Sequence, residues 1–441
     1  MDKLKVMSLF SGIGAFETAL RNIGADLELV GFSEIDTHAI KSYCAIHGVD
    51  ERLNYGDVSQ IEKNKLPDFD ILVGGSPCQS FSVAGHRKGF EDTRGTLFFQ
   101  YIETLKEKQP KYFIFENVKG LVNHDKGNTL NVMAQSFTEV GYRIDMDLLN
   151  SKYFKVPQNR ERIYIIGIRE DLMENSKWSI DSKKTDVMSK GKKRLSDLDI
   201  MTFNFNWPNQ NKVNTVLREI LEEYVDNKYY LSQEKTKALV EQLENKENTS
   251  EFCGEPAMLG HVDLKGHDAI KRVYSPDGIS PTLTTMGGGH REPKIAVQQL
   301  GDVNPSGKGM NGQVYNSTGL SPTLTTNKGE GVKVAVEVRP VLTPDREKKR
   351  QNGRRFKEDG EASFTVNTID KHGVAIGNYP KYRIRKLTPL ECWRLQAFDD
   401  EDFEKAVVAG ISNSQLYKQA GNSITVTVLE ELFKELLNTY K

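Results

Sequence analysis

At 441 residues with a formal net charge of −1, the chain is long enough to bury a sizeable core and is expected to form two domains. It is 37% hydrophobic and 27% charged, as ordinary soluble proteins are, and no apolar run approaches the roughly 20 residues that a membrane-spanning helix needs. Met1-Asp2-Lys3-Leu4-Lys5 leads straight into an apolar stretch with no signal-peptide pattern, and the four cysteines (Cys44, Cys78, Cys253, Cys392) lack metal-ligand spacing, so a cytoplasmic chain in a reducing compartment, without a metal, is expected.

The first predicted element is a buried strand ending at Phe10, which turns through Gly12 and Gly14 into a helix. Two glycines after a strand let backbone approach a nucleotide-like ligand, although the pair alone also fits a nicotinamide cofactor. About twenty residues past the glycines, Glu34 sits where an acidic side chain can accept from ribose hydroxyls. A helix is predicted over 37–47. The apolar run Phe69-Asp70-Ile71-Leu72-Val73 predicts another strand, followed by Gly74-Gly75-Ser76-Pro77-Cys78. A thiol in a small-residue turn, behind a proline that fixes φ, stands where a ligand can reach it and can act as a nucleophile. A lone cysteine is more often a small buried hydrophobe. A helix over 97–108 and a strand over Tyr112-Phe113-Ile114-Phe115-Glu116-Asn117-Val118 come next. Burial at that strand end would raise the Glu116 pKa enough for it to donate or share a proton near neutrality. Gln158-Asn159-Arg160-Glu161-Arg162 then precedes the strand Ile163-Tyr164-Ile165-Ile166-Gly167, and its two arginines can hold an anion or the glutamate.

Taken together, Phe10-Ser11-Gly12-Ile13-Gly14, Pro77-Cys78, Glu116-Asn117-Val118, Gln158-x-Arg160-x-Arg162 and Gly421-Asn422-Ser423 resemble, in order and spacing, the motifs of the DNA (cytosine-C5) methyltransferases. The resemblance covers about residues 4–170 and 380–435, and it is narrower still toward the bacteriophage-borne multispecific members. It implies an α/β fold: a Rossmann-like S-adenosylmethionine-dependent methyltransferase domain with a smaller, β-rich target-recognition domain. It implies duplex DNA as the partner, no obligate protein partner or membrane, a monomer, and a phage- or prophage-encoded chain working in a bacterial host. Cys78 would be the nucleophile, Glu116 the proton donor at the ring, and Arg160 and Arg162 the motif arginines, with Arg162 on the ring carbonyl oxygen. Phe10, Gly12, Gly14, Glu34, Ile35, Asp57, Val58, Pro77, Leu97, Asn422 and Ser423 would line the cofactor. Ile35 departs from the aromatic residue the family often carries there. Ser80 and Arg87, in a polar loop over 80–93, would meet DNA and close over a flipped base.

Past residue 175 the composition shifts. Residues 176–210 are polar and irregular, and 211–245 carry helical periodicity (Val216, Ile220, Leu221, Tyr224), which predicts connector helices through residue 250. Residues 251–412 form the expected recognition domain, with three repeats near 260–297, 301–336 and 340–376. Val273-Tyr274-Ser275-Pro276-Asp277-Gly278-Ile279-Ser280-Pro281-Thr282-Leu283-Thr284-Thr285 recurs 41 residues later as Val314-Tyr315 through Ser321-Pro322-Thr323-Leu324-Thr325-Thr326, and more weakly around Thr365. Turn, strand, loop, strand is the predicted unit. One reading is a β-domain built by duplication; the other is a set of target-reading units that share a scaffold and differ in their loops. Thr284 and Arg291, Thr325 and Lys328, and Thr365 and Lys371 are the candidate DNA contacts. Basic runs over 346–355 and 184–194 are candidate phosphate contacts on an otherwise neutral chain, or solvated loops. Near the C-terminus, Thr388 and Pro389 predict a helix start, Cys392 and Trp393 read as core, and residues 413–441 are expected to return to the catalytic domain through a helix from Ile424 to Leu437. An RNA-methylating enzyme sharing the same motifs and a non-catalytic DNA-binding module are the competing readings.

Overall fold

A computed structural model describes residues 3–77, 97–174, 176–180, 186–212, 215–230 and 382–439, together with strand segments at 258–261, 272–274, 280–281, 294–298, 338–342 and 372–376. Its N-terminal part alternates strands and helices: β1 (Leu4–Leu9), α1 (Ala15–Asn22), β2 (Leu27–Ser33), α2 (Thr37–His47), β3 (Ile71–Gly74), α3 (Leu97–Lys108), β4 (Tyr112–Val118), α4 (Asn128–Glu139), β5 (Tyr142–Asn150), the short β6 (Gln158–Asn159) and β7 (Glu161–Arg169). The expected strand and helix positions are reproduced, including helices at 37–47 and 97–108. Six strands form one sheet in the order β2-β1-β3-β4-β7-β5. β1 lies parallel to β2 and β3, and β3 to β4, whereas β7 runs antiparallel to both its neighbours.

Both faces of this sheet are buried, and the central strands β1, β3 and β4 carry runs of consecutive apolar residues rather than a strict alternation. Side chains alternate between two cores. Val6, Ile71, Val73, Ile114 and Ile166 face a core shared with α1, while Met7, Leu72, Phe113, Phe115 and Ile165 face one shared with α3 and α4. In the second core Phe113 stacks on Phe137 at 4.4 Å and Phe98 meets Phe115 edge-on at 5.7 Å, geometries that aromatic quadrupoles favour.

The first core is completed from the far end of the chain. After α5 (Val187–Leu195) and the second-sheet strands β8 (Met258–His261), β9 (Arg272–Tyr274), β10 (Ser280–Pro281), β11 (Lys294–Gln298), β12 (Val338–Leu342), β13 (His372–Ile376) and β14 (Tyr382–Lys386), the chain forms α6 (Pro389–Arg394), α7 (Asp400–Val408), α8 (Asn413–Asn422) and α9 (Val426–Thr439). Leu387, Cys392, Trp393, Phe398, Ala406 and Ile411 pack in the same core as α1 and α9, so the returning segment begins near residue 387 rather than 413. The hydrophobic faces of α6 and α7 are large enough to need that core: Trp393 is fully buried and donates Nε1–H to the Leu416 carbonyl at 2.9 Å. Thr388 caps α6 with Glu391 in a capping box, as its sequence predicts. Glu391 also forms a buried ion pair with Arg385 at 2.7 Å, fastening β14 to α6.

The connector differs from expectation. Over 215–230, the residues with helical periodicity form only 3₁₀ turns at Leu217–Ile220 and Asn227–Tyr229, and Tyr224 is exposed. Tertiary hydrogen bonds override the local periodicity there, because the Glu222 amide donates to Glu391 Oε1 and the Ile220 carbonyl accepts from Arg394. A helix forms instead within the stretch read as irregular. α5 is capped by Asp186, Lys192 pairs with the buried Asp145 at 2.6 Å, and Arg194 bonds Asn131 and the Val122 carbonyl. Two of the basic residues proposed for phosphate contact are therefore occupied in holding the connector against the catalytic sheet.

The described part of the second sheet runs β12-β13-β14-β11-β9-β8. β9, β10 and β11 fall within the first repeat, whose turn and loop residues lie outside the described residues. β10 leaves this sheet and pairs in parallel with β6, placing Ser280 opposite Gln158 and Pro281 opposite Asn159. The first repeat thus touches the short strand that immediately precedes Arg160 and Arg162.

Candidate active site

The carboxyl ends of β1, β2, β3 and β4 converge on one edge of the domain, where ligands of open α/β sheets bind. Phe10 leaves β1 with φ 56°, and Gly12 and Gly14 follow at 57° and 84°, a run of left-handed backbone that bends the chain sharply into α1. A Cβ on Gly12 would meet nothing within 4 Å, so the loop faces open space. Gly14 is different: its Cβ would lie 2.0 Å from His47 Nε2. Burial pushes the His47 pKa down to about 4, so the neutral ring donates Nε2–H to the Ile13 carbonyl at 3.2 Å. Gly14→Ala should therefore combine about 1–3 kcal/mol of backbone strain with displacement of His47, to be read as a lowered unfolding midpoint and weakened cofactor binding.

Glu34, at the end of β2, is held by three backbone donors. Oε2 accepts from Gly12 N at 2.8 Å, and Oε1 from Ile35 N and Asp36 N at 2.8 and 2.9 Å. That leaves acceptor capacity on an oriented carboxylate facing the glycine loop. Ile35 is 72% exposed, an apolar side chain standing beside that carboxylate. Asp57 is exposed, and its Oδ1 accepts from Ser59 N and Oγ, which together hold its pKa below the usual carboxylate range. Val58, expected to line the cofactor, is only 3% exposed and packs with Met7 and Leu9, supporting the wall from beneath. Asn54 escaped the sequence analysis. Its Oδ1 accepts from Glu34 N and Gly56 N, and its Nδ2 donates to the Glu34 carbonyl, locking the Glu34 and Asp57 loops together. An Asx residue two places before a glycine at φ 69° was the available signal.

The second half of the site is built around Glu116. Its carboxylate is nearly buried at the end of β4, with Arg162 Nε 3.0 Å from Oε1. Burial pushes the Glu116 pKa up, while the Arg162 and Arg160 guanidiniums oppose the rise. Gly75 is obligatory beside it, since a Cβ there would sit 2.6 Å from the Glu116 carbonyl oxygen and 2.9 Å from Oε2. The next carbonyl, that of Ser76, accepts from Asn117 Nδ2 at 3.0 Å, tying the turn to β4. Pro77 is exposed at the mouth of this turn.

Arg160 serves another purpose than its partner. It is 3% exposed and donates to the carbonyls of Ser423 at 2.7 Å and Gly421 at 3.4 Å, joining the β6–β7 corner to the end of α8. These bonds bridge two walls of the cleft. Asn422 is exposed at that helix end, Ser423 is nearly buried, and Leu97 starts α3, packing with Phe10 against the second core. Cys78, Ser80, Arg87, Thr284, Arg291, Thr325, Lys328, Thr365 and Lys371 lie outside the described residues, as does the basic run over 346–355.

An open glycine turn, an oriented strand-end carboxylate, a second carboxylate on the next loop and an exposed apolar side chain between them fit a nucleoside: ribose hydroxyls donate to carboxylates, and adenine seeks an apolar face and an acceptor. Fold and cleft together define an α/β enzyme domain that binds a nucleoside-bearing cofactor beside a buried carboxylate and arginine pair. The chain belongs to the C-5 cytosine-specific DNA methylase family, whose model matches residues 4–438. Enzymes of this family take the methyl group from S-adenosylmethionine and act on DNA, and this chain is one of them. It is 69% identical to an orphan methyltransferase, M.Rho11sI, of Bacillus phage rho11s, over 100% of this chain and 99% of that one. It is 64% identical to the orphan methyltransferase M.SPRI of Bacillus phage SPR, with the same coverage. The fold also matches the crystal structure of the S. pombe Dnmt2 methyltransferase, with a TM-score of 0.51 at 16% identity over 99% of this chain and all of that one. Among the described residues no helix is long and apolar enough to cross a membrane.

Proposed function

We propose that this enzyme methylates C5 of cytosine in more than one duplex DNA sequence, through a bond between Cys78 and C6 of a base rotated out of the helix, and that the product protects DNA from restriction endonucleases. The observation that carries the reading is the corner where Gly75, three residues before Cys78, abuts the Glu116 carboxylate paired with Arg162. Cytosine C5 is a poor nucleophile. Addition of the Cys78 thiolate to C6 moves electron density onto the ring, and a proton held by Glu116 at N3 stabilises it, with Arg162 on the carbonyl oxygen. When bound, the cofactor supplies an electrophilic methyl group for C5. Loss of the C5 proton and departure of the thiolate restore the aromatic ring and free Cys78. Because C6 is shielded in stacked DNA, the base must leave the duplex, at roughly a few kcal/mol.

Gly12, Gly14, Glu34, Ile35 and Asp57 hold the nucleoside end of S-adenosylmethionine, and Asn422 and Ser423 the methionine end. Residues 251–386 form the target-recognition region. Its first two repeats share a Pro-Thr-Leu-Thr-Thr scaffold, which the weaker third copy around Thr365 lacks, and all diverge in the following loops, the pattern expected when each copy reads a different sequence. The pairing of β10 with β6 supports a first copy engaged at the catalytic edge. Similarity to phage proteins fits a chain acting beside host DNA in the bacterial cytoplasm.

Plasmid from cells expressing the protein should resist at least two methylation-sensitive endonucleases with different sites. Replacing residues 286–293 by a Gly-Ser linker should remove resistance to one and leave the others. Loss of every resistance, or of none, would refute separate target-reading units.

A further inference from the structure

The two ends of the proposed cofactor cleft are contributed by segments nearly 400 positions apart, and one polar contact spans them. On one side stand Glu34 and Asp36, the latter capping α2 by accepting from His38 N and Ala39 N. On the other stands α8, which ends at Asn422. Lys418 lies one helical turn before Asn422, on the same face. Its Nζ meets Asp36 Oδ2 at 2.6 Å. The neighbouring Gln419 accepts from Ser42 Oγ at 3.1 Å and donates to the His38 carbonyl at 3.0 Å, so the contact is a double one between α8 and the first turns of α2. Asp36 N in turn donates to Glu34 Oε1, and Glu34 Oε2 accepts from Gly12 N. A continuous hydrogen-bonded path thus runs from the glycine turn through Glu34, Asp36 and Lys418 to the helix that ends at Asn422.

We propose that Lys418 is a positioning residue that sets the distance between the two ends of the cofactor cleft. The proposal rests on the assignment of Glu34 and Asn422 to opposite ends of one bound molecule. A ligand that must touch both ends at once gains from having their spacing preset, because it need not organise them on binding. A ligand that touches one end gains nothing. Lys418 and Asp36 side chains are 37% and 26% exposed, and an ion pair so placed adds little to folding stability, so its effect should appear in binding rather than in unfolding.

The test titrates S-adenosylhomocysteine, which reaches both ends, and adenosine, which reaches only the nucleoside end, into the full chain and into Lys418→Met, Lys418→Arg and Glu34→Ala. Lys418→Met should weaken S-adenosylhomocysteine about tenfold, the equivalent of one charge-assisted hydrogen bond, and leave adenosine within about twofold. Lys418→Arg, which keeps the charge and reach, should restore binding. In turnover, Lys418→Met should raise KM for S-adenosylmethionine while kcat and KM for DNA stay near their original values. Glu34→Ala should weaken both ligands; if it weakens neither, the cofactor-cleft assignment itself fails. If Glu34→Ala acts as stated but Lys418→Met weakens both ligands alike, or neither, Lys418 does not set the spacing.

Discussion

Cys78→Ser should abolish methyl transfer, lowering the rate by on the order of 10⁴-fold or more, while duplex DNA and S-adenosylmethionine still bind. A cysteine thiol ionises near pH 8.5 and supplies a thiolate under physiological conditions, whereas a serine hydroxyl without a strong base does not. The substitution removes one polarisable atom and adds no bulk, so lost activity would report chemistry rather than folding. Duplex DNA containing 5-fluorocytosine gives a second readout. Fluorine cannot leave as a cation from C5, so the Cys78 to C6 bond should persist and the unaltered chain should migrate with its DNA on a denaturing gel, while Cys78→Ser should not. Retained turnover in the serine variant, or no adduct with the unaltered chain in the presence of the methyl donor, would overturn the nucleophile assignment.

Glu116→Gln should lower kcat by about 10²- to 10⁴-fold, the span usual for loss of a positioned acid or base. The pH dependence carries a sign that tests the role further. Burial raises the Glu116 pKa, against the lowering effect of Arg162 and then Arg160, so a proton is available there at higher pH than on an ordinary carboxylate. Activity that needs this proton should fall as pH rises through the elevated pKa, while Cys78 ionisation opposes it on the acid side, giving a bell-shaped profile. Arg162→Met removes the strongest charge opposing the rise. Its alkaline limb should move to higher pH even as its rate drops; movement to lower pH would contradict the assignment. Stability follows the same sign. A carboxyl group with an elevated folded pKa loses stability as pH climbs from about 4.3, its unfolded value, through the folded one. The unfolding midpoint of Glu116→Gln relative to the original chain should therefore improve between pH 4 and pH 8, which pairs lost activity with unharmed folding.

Much of the catalytic domain was legible because its central strands carry consecutive apolar residues and its helices are marked at their ends. Helices over 37–47 and 97–108 and the Thr388 cap fall where periodicity and capping chemistry put them. Arg162 is one of two arginines that sequence alone could place equally against an anion or a glutamate. The antiparallel pairing of β4 with β7 sets Val118 opposite Arg162 and brings its guanidinium to Glu116, while Arg160, two residues away, turns toward Ser423. No local pattern distinguishes them, because the distinction depends on which neighbour each side chain meets across the fold. The connector shows the same limit: helical periodicity near Val216 yields to one hydrogen bond accepted by Glu391 and one donated by Arg394, residues some 170 positions away.

The fold class, the strand ends that carry Phe10, Glu34 and Glu116, the glycine turn and the ordered motifs that mark the family could all be read from residue order, since each depends on side-chain pattern and spacing within a few dozen residues. It took the packed fold to place Val58 in the core, to show Arg160 and Lys418 bridging segments hundreds of residues apart and Lys192 and Arg194 holding the connector, and to bring Leu387 and the residues after it into the core shared with α1. Burial and long-range hydrogen bonds are properties of the packed whole, and a polar side chain reveals its task only when its partner arrives from elsewhere in the chain.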